Sequence, residues 1–314
     1  MAAARQIPRL VDRLPPIRGR YSENVPLAGI TWFGVGGPAE VVFRPKDAED
    51  LAQFLALKPA DVPILVLGVG SNLLVRDGGI PGVVIRLGRH MAAIAVEGER
   101  IVAGAGALDL NVARVAGEAG LAGLEFLCGI PGTIGGALRM NAGAYGRELS
   151  DVLIEARALA GDGTMRDLSV GELGLSYRHC RAPGDWIFTS ATLRGQPDDP
   201  QRIAERMEQI RSAREVTQPV RSRTGGSTFA NPAEGKAWEL IEKAGCRGLR
   251  HGGATVSEKH CNFLINSGDA TAADLEELGE EVRRRVLEST GVHLRWEIHR
   301  VGIENGPSSR RGGT

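Results

Sequence analysis

The sequence predicts a mixed α/β and α+β fold, in which two α/β units are followed by a C-terminal α+β unit. The chain of 314 residues is long enough for two or three domains that each bury a core. Apolar runs of strand length alternate with amphipathic stretches of helix length along most of the chain. Its 43 glycines cluster in short loops that follow the apolar runs. Because glycine lets main-chain N–H groups approach a ligand closely, these loops predict that the protein holds something large.

The first α/β unit is expected over residues 21–87, after an irregular, proline-containing segment at residues 1–20. Its strands are predicted from apolar runs at Val41–Arg44, Ile64–Leu67 and Val83–Leu87. Asp47 can cap a helix over Ala48–Lys58, where apolar residues recur on one helical face. This order of strands and helix is typical of a small α/β unit.

The second unit is expected over residues 88–215 and is richer in strands. Its strands are predicted at Ala93–Val96, Arg100–Ala103, Val152–Leu159 and Trp186–Leu193. One helix is predicted at Asp109–Ala119. A second begins after Asp199, where a proline follows a capping residue, and runs to about Arg214.

The third unit is expected over residues 216–292. Its elements are predicted at Gly235–Ala244 (helix), Asn262–Ile265 (strand) and Ala272–Ser289 (helix). Thr271 and Asp274 have the spacing of a capping box at the start of the last helix.

The C-terminal segment 293–304 is expected to rejoin the first unit through a strand at His293–Val301. Residues 305–314 are polar and glycine-rich, and we expect them to be disordered.

Composition and charge argue against several classes of partner. Lys+Arg and Asp+Glu both number 38, so the formal net charge is zero and indicates neither nucleic-acid nor anionic-membrane binding. No apolar run reaches the about 18 residues of a membrane span, and the N-terminal residues lack the apolar core of a signal peptide. We therefore expect a cytoplasmic protein. Its four cysteines have no CxxC or zinc-type spacing, so neither a metal site nor a disulfide is expected.

Three glycine-rich loops are the candidate ligand-binding segments. In the first, Gly68-Val69-Gly70-Ser71-Asn72 follows a predicted buried strand, and its successive N–H groups can form a nest for phosphate oxygens. The dinucleotide fingerprint G-x-G-x-x-G is incomplete because position 73 is leucine, so a plain strand-to-strand turn is an equal alternative.

The second segment, Gly129–Gly146, has six glycines among eighteen residues, and a loop of this length in a compact domain is usually functional. The third, Arg223–Pro232, places Ser227 directly after two glycines. Taken alone, the third loop is equally typical of a surface turn.

Together these loops resemble the UDP-N-acetylenolpyruvoylglucosamine reductase family. The shared segments cover residues 22–304 in the family's order: TWFGVGGPAE, LGVGSNLLV, GIPGTIGGA, MNAGAYG, SYR, GGSTFANP and LRWEIHRVG. The resemblance implies a vanillyl-alcohol-oxidase (PCMH)-type FAD-binding fold with two subdomains and a C-terminal α+β substrate-binding domain. It also implies FAD as cofactor, NADPH as co-substrate, a UDP-sugar substrate and a monomer. We expect the FAD to be noncovalent, because neither His nor Cys lies in the first two glycine loops.

The resemblance further implies the reduction of UDP-N-acetylglucosamine enolpyruvate to UDP-N-acetylmuramate. Reduced FAD would supply the hydride and Ser227 the proton, while Arg178 and Glu297 would stabilise the enediolate that hydride addition creates. These residue types suit the chemistry, because a guanidinium grips a carboxylate with paired hydrogen bonds and a protonated carboxyl can donate one. The alternation of Leu294, Trp296 and Ile298 places Glu297 on the opposite face of its strand, where the pattern alone favours an exposed carboxylate paired with Arg295. The resemblance instead implies that Glu297 faces the cleft as a protonated or hydrogen-bonding partner of the enediolate, and this role predicts a raised pKa.

The resemblance assigns further residues to ligands. Implied contacts with FAD are Gly68, Val69, Gly70, Ser71, Asn72, Pro131, Gly132, Thr133, Gly135, Gly136, Asn141, Gly143 and Arg211. Implied contacts with the UDP-sugar are Tyr177, Arg214, Asn231 and Arg247. A family subtype carries an extra tyrosine-bearing loop between the arginine and the serine. Here that interval is 227 − 178 = 49 residues and is filled by predicted strand, helix and linker, so we assign the subtype without the loop.

Two alternatives stay open at the level of sequence. One is another noncovalent-FAD oxidoreductase of the same fold that oxidises an alcohol or hydroxy acid. The other is a non-enzymatic UDP-sugar-binding protein, which would be colourless.

Overall fold

The structure, a computed structural model, describes residues 8–305. Its helices are α1 (Leu10–Arg13), α2 (Ala48–Leu57), α3 (Asp109–Glu118), α4 (Ile134–Met140), α5 (Val170–Leu173), α6 (Pro200–Thr217), α7 (Ala237–Lys243) and α8 (Ala272–Thr290). Short 3₁₀ segments lie at Arg89–Met91, Glu125–Gly129 and Leu149–Asp151. The predicted disorder of the C-terminal tail concerns residues that, apart from 305, lie outside the described part of the chain.

The strands in the first half of the described chain are β1 (Arg20–Pro26), β2 (Pro38–Arg44), β3 (Ile64–Leu67), β4 (Leu73–Val75), β5 (Ile80–Arg86), β6 (Ile94–Glu97), β7 (Arg100–Gly104), β8 (Leu121–Ala122), β9 (Gly143–Ala144) and β10 (Arg147–Glu148). Those in the second half are β11 (Leu153–Leu159), β12 (Met165–Ser169), β13 (Ile187–Arg194), β14 (Gln196–Pro197), β15 (Arg250–His251), β16 (Ala254–Val256), β17 (Leu264–Asn266) and β18 (His299–Val301). The strands predicted in the first two units and the helices predicted throughout are confirmed, with ends that shift by a few residues.

The first sheet has the order β1-β2-β5-β3, with β1 antiparallel to β2 and the other pairs parallel. It is buried on both faces. In β2, Val41 and Phe43 enter the largest core, while Ala39 and Val42 enter a smaller core on the other face. This explains the continuous apolar run from Val41 to Phe43 in β2. The predicted cap of α2 is confirmed, because the Asp47 side chain accepts a hydrogen bond from Asp50 N at 2.9 Å.

The second sheet is antiparallel with the order β12-β11-β13-β7-β6, and its inner face shares the largest core with the first sheet. Helix α4 packs on this core through Ile134, Ala137 and Leu138. Our description of Gly129–Gly146 as one long loop is therefore wrong. These apolar residues recur at helical spacing, and they bury one face of a helix whose glycines allow close packing. A Cβ at Gly135 would lie only 3.1 Å from Ala105 Cβ.

The third unit contains the antiparallel sheet β15-β16-β17 covered by α7 and α8. The capping box of Thr271 and Asp274 is confirmed at the start of α8. The core of this unit also includes Phe33, Val35 and Leu74 from the N-terminal part of the chain. The third unit is thus packed directly against the segment that precedes β2 and against β4, the strand that follows the first glycine loop.

The predicted strand His293–Val301 is shorter than expected. Only β18 forms a regular ladder, parallel to β4 of the first unit. The preceding residues instead run beside the third glycine loop, where Ala230 N donates to Arg295 O at 2.9 Å and Phe229 bridges Trp296. One extended segment therefore joins the third unit to the first.

No helix among residues 8–305 is long and apolar enough to cross a membrane. Within the same residues, no group of three or more His, Cys, Asp or Glu side chains is arranged to hold a metal ion.

Candidate active site

Glu297 lies where the C-terminal segment passes between the third glycine loop and the first. Leu294 and Ile298 are buried in the core, as the alternation predicts, and only 13% of the Glu297 side chain is exposed. Glu297 N donates to Thr228 O at 2.8 Å, and Asn72 Nδ2 donates to Glu297 O at 3.2 Å. Two of the three glycine loops therefore fix the main chain of this carboxylate.

Arg178 occupies a tight turn that directs its guanidinium at Glu297. The turn is closed by Ser176 N to His179 O at 3.1 Å and by His179 N to Ser176 O at 3.0 Å. Arg178 has a φ of +55°, in the left-handed region that residues other than glycine rarely adopt. Its Nε donates to Glu297 Oε1 at 2.6 Å, and its Nη2 reaches Gly143 O at 3.4 Å. Such backbone strain is concentrated at functional sites.

Ser227 stands in the third glycine loop, next to the residue that binds Glu297. A Cβ at Gly225 would lie 2.5 Å from Phe33 Cε2, so only glycine allows this approach. Ser227 forms a bridge with Phe263, and Thr228 N donates to Asn262 O at 2.8 Å. The main chain at Ser227 is thus fixed on both sides, and its side chain remains partly accessible.

Tyr177 and Asn231 contact each other beside Arg178. Asn231 N donates to the Tyr177 hydroxyl at 3.4 Å, while the Tyr177 ring lies 5.1 Å from the Arg178 guanidinium carbon. Asn231 Oδ1 also accepts from Ala237 N at 3.0 Å, which caps the start of α7. The third loop therefore contacts the turn that carries Arg178.

Three further arginines were predicted to contact FAD or the UDP-sugar, and they differ in whether they already form ion pairs: Arg211, Arg214 and Arg247. Arg211 is 62% exposed on α6 and is paired with Glu208 and Glu215. Arg247 is paired with Glu242 on the surface of the third unit. Arg214 is half-buried, and burial lowers the pKa of its guanidinium. It makes no ion pair within residues 8–305, so it is the better placed of the three to meet an added anion.

The first glycine loop presents an open row of main-chain donors. None of the amide N–H groups of Val69, Gly70, Ser71 and Asn72 finds an acceptor among the described residues. Gly70 has a φ of +67°, and a Cβ there would lie 3.0 Å from Thr31 Cα. Unpaired main-chain amides in a glycine-containing turn suit phosphate oxygens.

The second segment meets the first at Gly68, where a Cβ would lie 2.8 Å from Thr133 Oγ1. The start of α3 holds Gly132 and Thr133 in place, because Asp109 N donates to Gly132 O at 3.2 Å and Thr133 bridges Leu108. Pro131 precedes this contact in the chain, and Gly135 and Gly136 follow it in the first turn of α4. At this contact glycine leaves room for the Thr133 side chain, so the two segments form adjoining walls of one cradle. A pyrophosphate fits such a cradle, so the residues present suit FAD.

Asn141 and Gly143, at the far end of α4, are placed differently. The Asn141 side chain is completely buried and is bonded within the chain. Gly143 contributes the carbonyl that Arg178 contacts. Sequence reasoning did not identify Glu148, which binds Asn141, because an acidic residue in a short hairpin has no distinctive pattern.

Asp109 is a second residue that sequence reasoning missed. Its carboxyl is fully buried beneath Gly132, and neither oxygen finds a hydrogen-bond partner among residues 8–305. Burial holds the pKa of this carboxyl well above its usual range. An acidic residue at the start of a helix is common, so no sequence pattern distinguishes Asp109.

Burial also raises the pKa of Glu297, although Arg178 opposes this effect. The predicted raised pKa is therefore confirmed in direction. The carboxylate is stabilised chiefly by one cation, so any ligand that occupies Arg178 favours the protonated form of Glu297. Arg178 is the stronger of the two cations that act on this partly buried acid, and Arg295 is the weaker.

The chain matches two families. Residues 39–169 match the FAD binding domain, and residues 218–301 match the UDP-N-acetylenolpyruvoylglucosamine reductase C-terminal domain. The interval between Arg178 and Ser227 contains β13, β14 and α6.

Similar proteins agree over nearly the whole chain. UDP-N-acetylenolpyruvoylglucosamine reductase of Rhodospirillum rubrum is 62% identical over 308 residues, which cover 96% of this chain and 97% of that protein. The protein of the same name from Parvibaculum lavamentivorans is 61% identical, with 96% and 98% covered. The crystal structure of UDP-N-acetylenolpyruvylglucosamine reductase from Thermus caldophilus superposes with a TM-score of 0.78 at 36% identity, covering 91% of this chain and 99% of that one.

These matches set aside a non-enzymatic sugar-binding protein and confirm the predicted fold, a PCMH-type FAD-binding fold with a C-terminal α+β domain. The protein is an oxidoreductase that binds FAD. The chain belongs to the UDP-N-acetylenolpyruvoylglucosamine reductase family.

Proposed function

We propose that the protein uses NADPH, through FAD, to reduce UDP-N-acetylglucosamine enolpyruvate to UDP-N-acetylmuramate, a precursor of peptidoglycan. The observation that carries this proposal is the partly buried Arg178–Glu297 pair, whose Nε–Oε1 distance is 2.6 Å. The pair lies one main-chain hydrogen bond from the loop of Ser227, through Glu297 N and Thr228 O. The site thus combines an anion-binding group, an acid with a raised pKa and a hydroxyl.

FAD, when bound and reduced, supplies the hydride that adds to the terminal carbon of the enol ether. The chain's own residues manage the charge that this addition creates on the neighbouring, carboxylate-bearing carbon. Arg178 can take the substrate carboxylate in paired hydrogen bonds. As it does so, it gives up part of its contact with Glu297.

Loss of that contact changes Glu297. Its 13% exposed side chain is then a nearly buried carboxylate without a full counter-charge, so its pKa rises further and it takes up a proton. A protonated Glu297 can donate a hydrogen bond to the enediolate, which an ionised one cannot. Substrate binding itself therefore prepares the acid.

Ser227 completes the reaction by donating its hydroxyl proton to the carbon that bears the carboxylate. A serine is a weak acid, so it suits only a strongly basic carbanion held at a fixed distance. Its loop supplies the fixed position, because Ser227 itself bridges Phe263 and the next residue, Thr228, donates to Asn262 O.

The UDP part of the substrate needs cations and polar groups. We assign Arg214, Tyr177 and Asn231 to it, since Arg214 is free of ion pairs within the described residues and the other two adjoin Arg178. Arg247 would first have to leave Glu242. The first glycine loop and the Pro131–Gly136 segment are assigned to the FAD pyrophosphate, whereas Arg211 would have to exchange two surface glutamates to reach it.

The test is half-reaction kinetics on Ser227→Ala. We expect NADPH to reduce the flavin at a rate close to wild type, while reoxidation by the enolpyruvyl substrate slows by roughly 100-fold or more, as for loss of a general acid. Equal slowing of both half-reactions would contradict the role of Ser227. Denaturation with acid should release all the flavin, because its attachment is noncovalent.

A monomer in a cytoplasmic compartment remains our prediction for this protein. Light scattering after size exclusion should give the mass of one 33.4 kDa chain, and cell fractionation should place the protein outside the membrane fraction. A dimer mass would contradict the first expectation.

A further inference from the structure

Asn141 is the side chain through which the second glycine segment contacts the turn of Arg178. It ends α4 in the left-handed conformation, with a φ of +40°, and its side chain is completely buried. A buried amide must find hydrogen-bond partners, because an unpaired polar group removed from water is destabilising. Its partners therefore identify what the residue holds together.

Three hydrogen bonds occupy the Asn141 amide. Nδ2 donates to Glu148 Oε2 at 2.9 Å and to Ser176 O at 3.2 Å, while Oδ1 accepts from Ser150 N at 3.0 Å. Both N–H bonds face acceptors and the oxygen faces a donor, so the orientation of the amide is fixed by its surroundings. No isosteric side chain reproduces this set, since aspartate lacks the two donors.

Two of these partners, Ser176 and Glu148, belong to the segments that position Arg178. Ser176 O is one of the two carbonyls that close its strained turn. Glu148 pairs with Gly143 across the β9–β10 hairpin, and Gly143 O is the carbonyl that the guanidinium contacts. Asn141 thus reaches both the base of the turn and the hairpin that meets the guanidinium.

Arg139, two residues before Asn141, binds the part of the same segment that follows Arg178 in the chain. Its guanidinium donates to Ala182 O at 2.8 Å and to Trp186 O at 2.6 Å, and it lies over the ring of Phe188. The C-terminal end of α4 therefore holds the segment that carries Arg178 both before and after that residue.

We propose that Asn141 is a positioning residue for Arg178, whose buried amide holds the left-handed turn in the conformation that directs the guanidinium to the substrate. The inference rests on the proposed function of Arg178. It gives the Asn141 side chain a role inside the protein in place of the flavin contact that the family resemblance implies.

The test is Asn141→Asp in the FAD-loaded protein. The new carboxylate keeps the size of the side chain and still accepts a hydrogen bond from Ser150 N. It cannot donate to Ser176 O, and it repels the carboxylate of Glu148. We expect reoxidation by the enolpyruvyl substrate to slow roughly 10- to 100-fold, as for a small displacement of a reacting group. Flavin content and the reduction of the flavin by NADPH should stay close to wild type.

The matched control is Asn24→Asp. Asn24 is an exposed asparagine that also has a positive φ, of +50°, so the same substitution is made in the same backbone conformation away from the site. It should leave both half-reactions unchanged. If Asn141→Asp does not fold, Glu148→Gln weakens the same network without changing its shape and should slow the same half-reaction.

A double variant separates positioning from general damage. In an Arg178→Ala background, Asn141→Asp should add little further slowing, because its effect acts through the absent guanidinium. An equal additional slowing in that background would overturn the proposal.

Arginine side-chain ¹⁵N NMR gives a readout that does not depend on the reaction. The Nε–H of Arg178, assigned with Arg178→Lys, should be protected from solvent exchange by its bond to Glu297. We expect this protection to be lost in Asn141→Asp and kept in Asn24→Asp. A protected Nε–H in Asn141→Asp would overturn the proposal even if the proposed substrate also proved wrong.

Discussion

The first and second glycine-rich segments look alike in sequence but are built in different ways. Residues 68–72 form an open loop whose amides have no acceptors among the described residues. Residues 129–146 are largely closed, since they contain a helix with a buried face and a fully buried asparagine. The first segment offers its main chain to a ligand, whereas the second offers a wall at one end and supports Arg178 at the other.

Glycine content therefore does not identify a ligand-binding loop without the structure around it. In the first segment glycine allows left-handed backbone and unpaired N–H groups. In the second it allows a helix to pack closely, with Gly135 against Ala105.

The largest effect is expected at Glu297, whose main chain the first segment holds through Asn72. Glu297→Gln should slow flavin reoxidation by roughly 100-fold, a size typical of losing one group that stabilises developing charge. Because the folded pKa of Glu297 is raised, wild-type activity should fall as the pH rises through that pKa, and this step should be absent in the variant. Reoxidation rates measured between pH 5 and 9 check both points. A pH step that survives in Glu297→Gln would assign the ionisation to another group.

Gly70→Ala tests the open loop. The side chain would strain a φ of +67° and approach Thr31 Cα at 3.0 Å, so the amides must turn away. Strain of about 1–3 kcal/mol corresponds to roughly a 5- to 150-fold loss of FAD affinity. Titration of the deflavinated protein with FAD measures it.

The control for this prediction is Gly146→Ala in the second segment. Gly146 has a φ of +78° and open space around it, so the substitution introduces similar strain without a clash. FAD affinity should hardly change. An equal loss in both variants would show that the two segments do not differ as we describe.

Gly135→Ala tests the closed segment. Its Cβ would overlap Ala105 inside a packed core, which should lower the free energy of unfolding by about 1–3 kcal/mol. Because Gly135 supports the cradle from within a helix, FAD affinity should fall less than in Gly70→Ala. Urea unfolding and FAD titration of both variants make the comparison. A larger loss of affinity in Gly135→Ala would reverse the assignment of roles.

The smallest effect is expected at Asp109, beneath the second segment. Its folded pKa is raised above the unfolded value, so the folded protein retains a proton that the unfolded chain releases. Stability is then greatest below the usual carboxyl range and falls as the pH rises toward the raised pKa. Asp109→Asn lacks this titration, so relative to wild type it should gain on the order of 1 kcal/mol or more between pH 5 and pH 8.

Urea unfolding of the FAD-loaded protein at the two pH values measures this gain. The exposed Asp269→Asn serves as the control and should follow the wild-type pH dependence. A wild-type protein that is more stable at pH 8 than at pH 5, relative to Asp109→Asn, would contradict the raised pKa.

Many elements of the fold, and part of the candidate site, could be predicted from sequence because they depend on local patterns. The strand before Gly68, the cap of α2 at Asp47 and the capping box of α8 each depend on neighbours within a few residues. The alternation around Glu297 correctly placed its side chain away from the core. Ser227 and Arg178 required the family resemblance, since neither has a local pattern that excludes an ordinary turn or surface residue.

Other features depended on contacts between distant residues. Helix α4 was missed because glycines and Pro131 outweighed its three core residues in the local pattern. The extended strand at 293–301 was shortened because its first half runs beside the Ser227 loop instead of a strand. The buried amide of Asn141 and the unpaired carboxyl of Asp109 have no signature, because burial is a property of packing.

By itself, the sequence determined the order of elements, the glycine loops and the family, since these follow from short-range propensity and from motifs in a fixed order. Only the tertiary structure decided which glycine loop is open and which is closed. It also decided that Arg178 meets Glu297, across 119 residues of chain. The physical reason is that hydrogen-bond saturation and desolvation depend on every atom nearby, and most of those atoms come from elsewhere in the sequence.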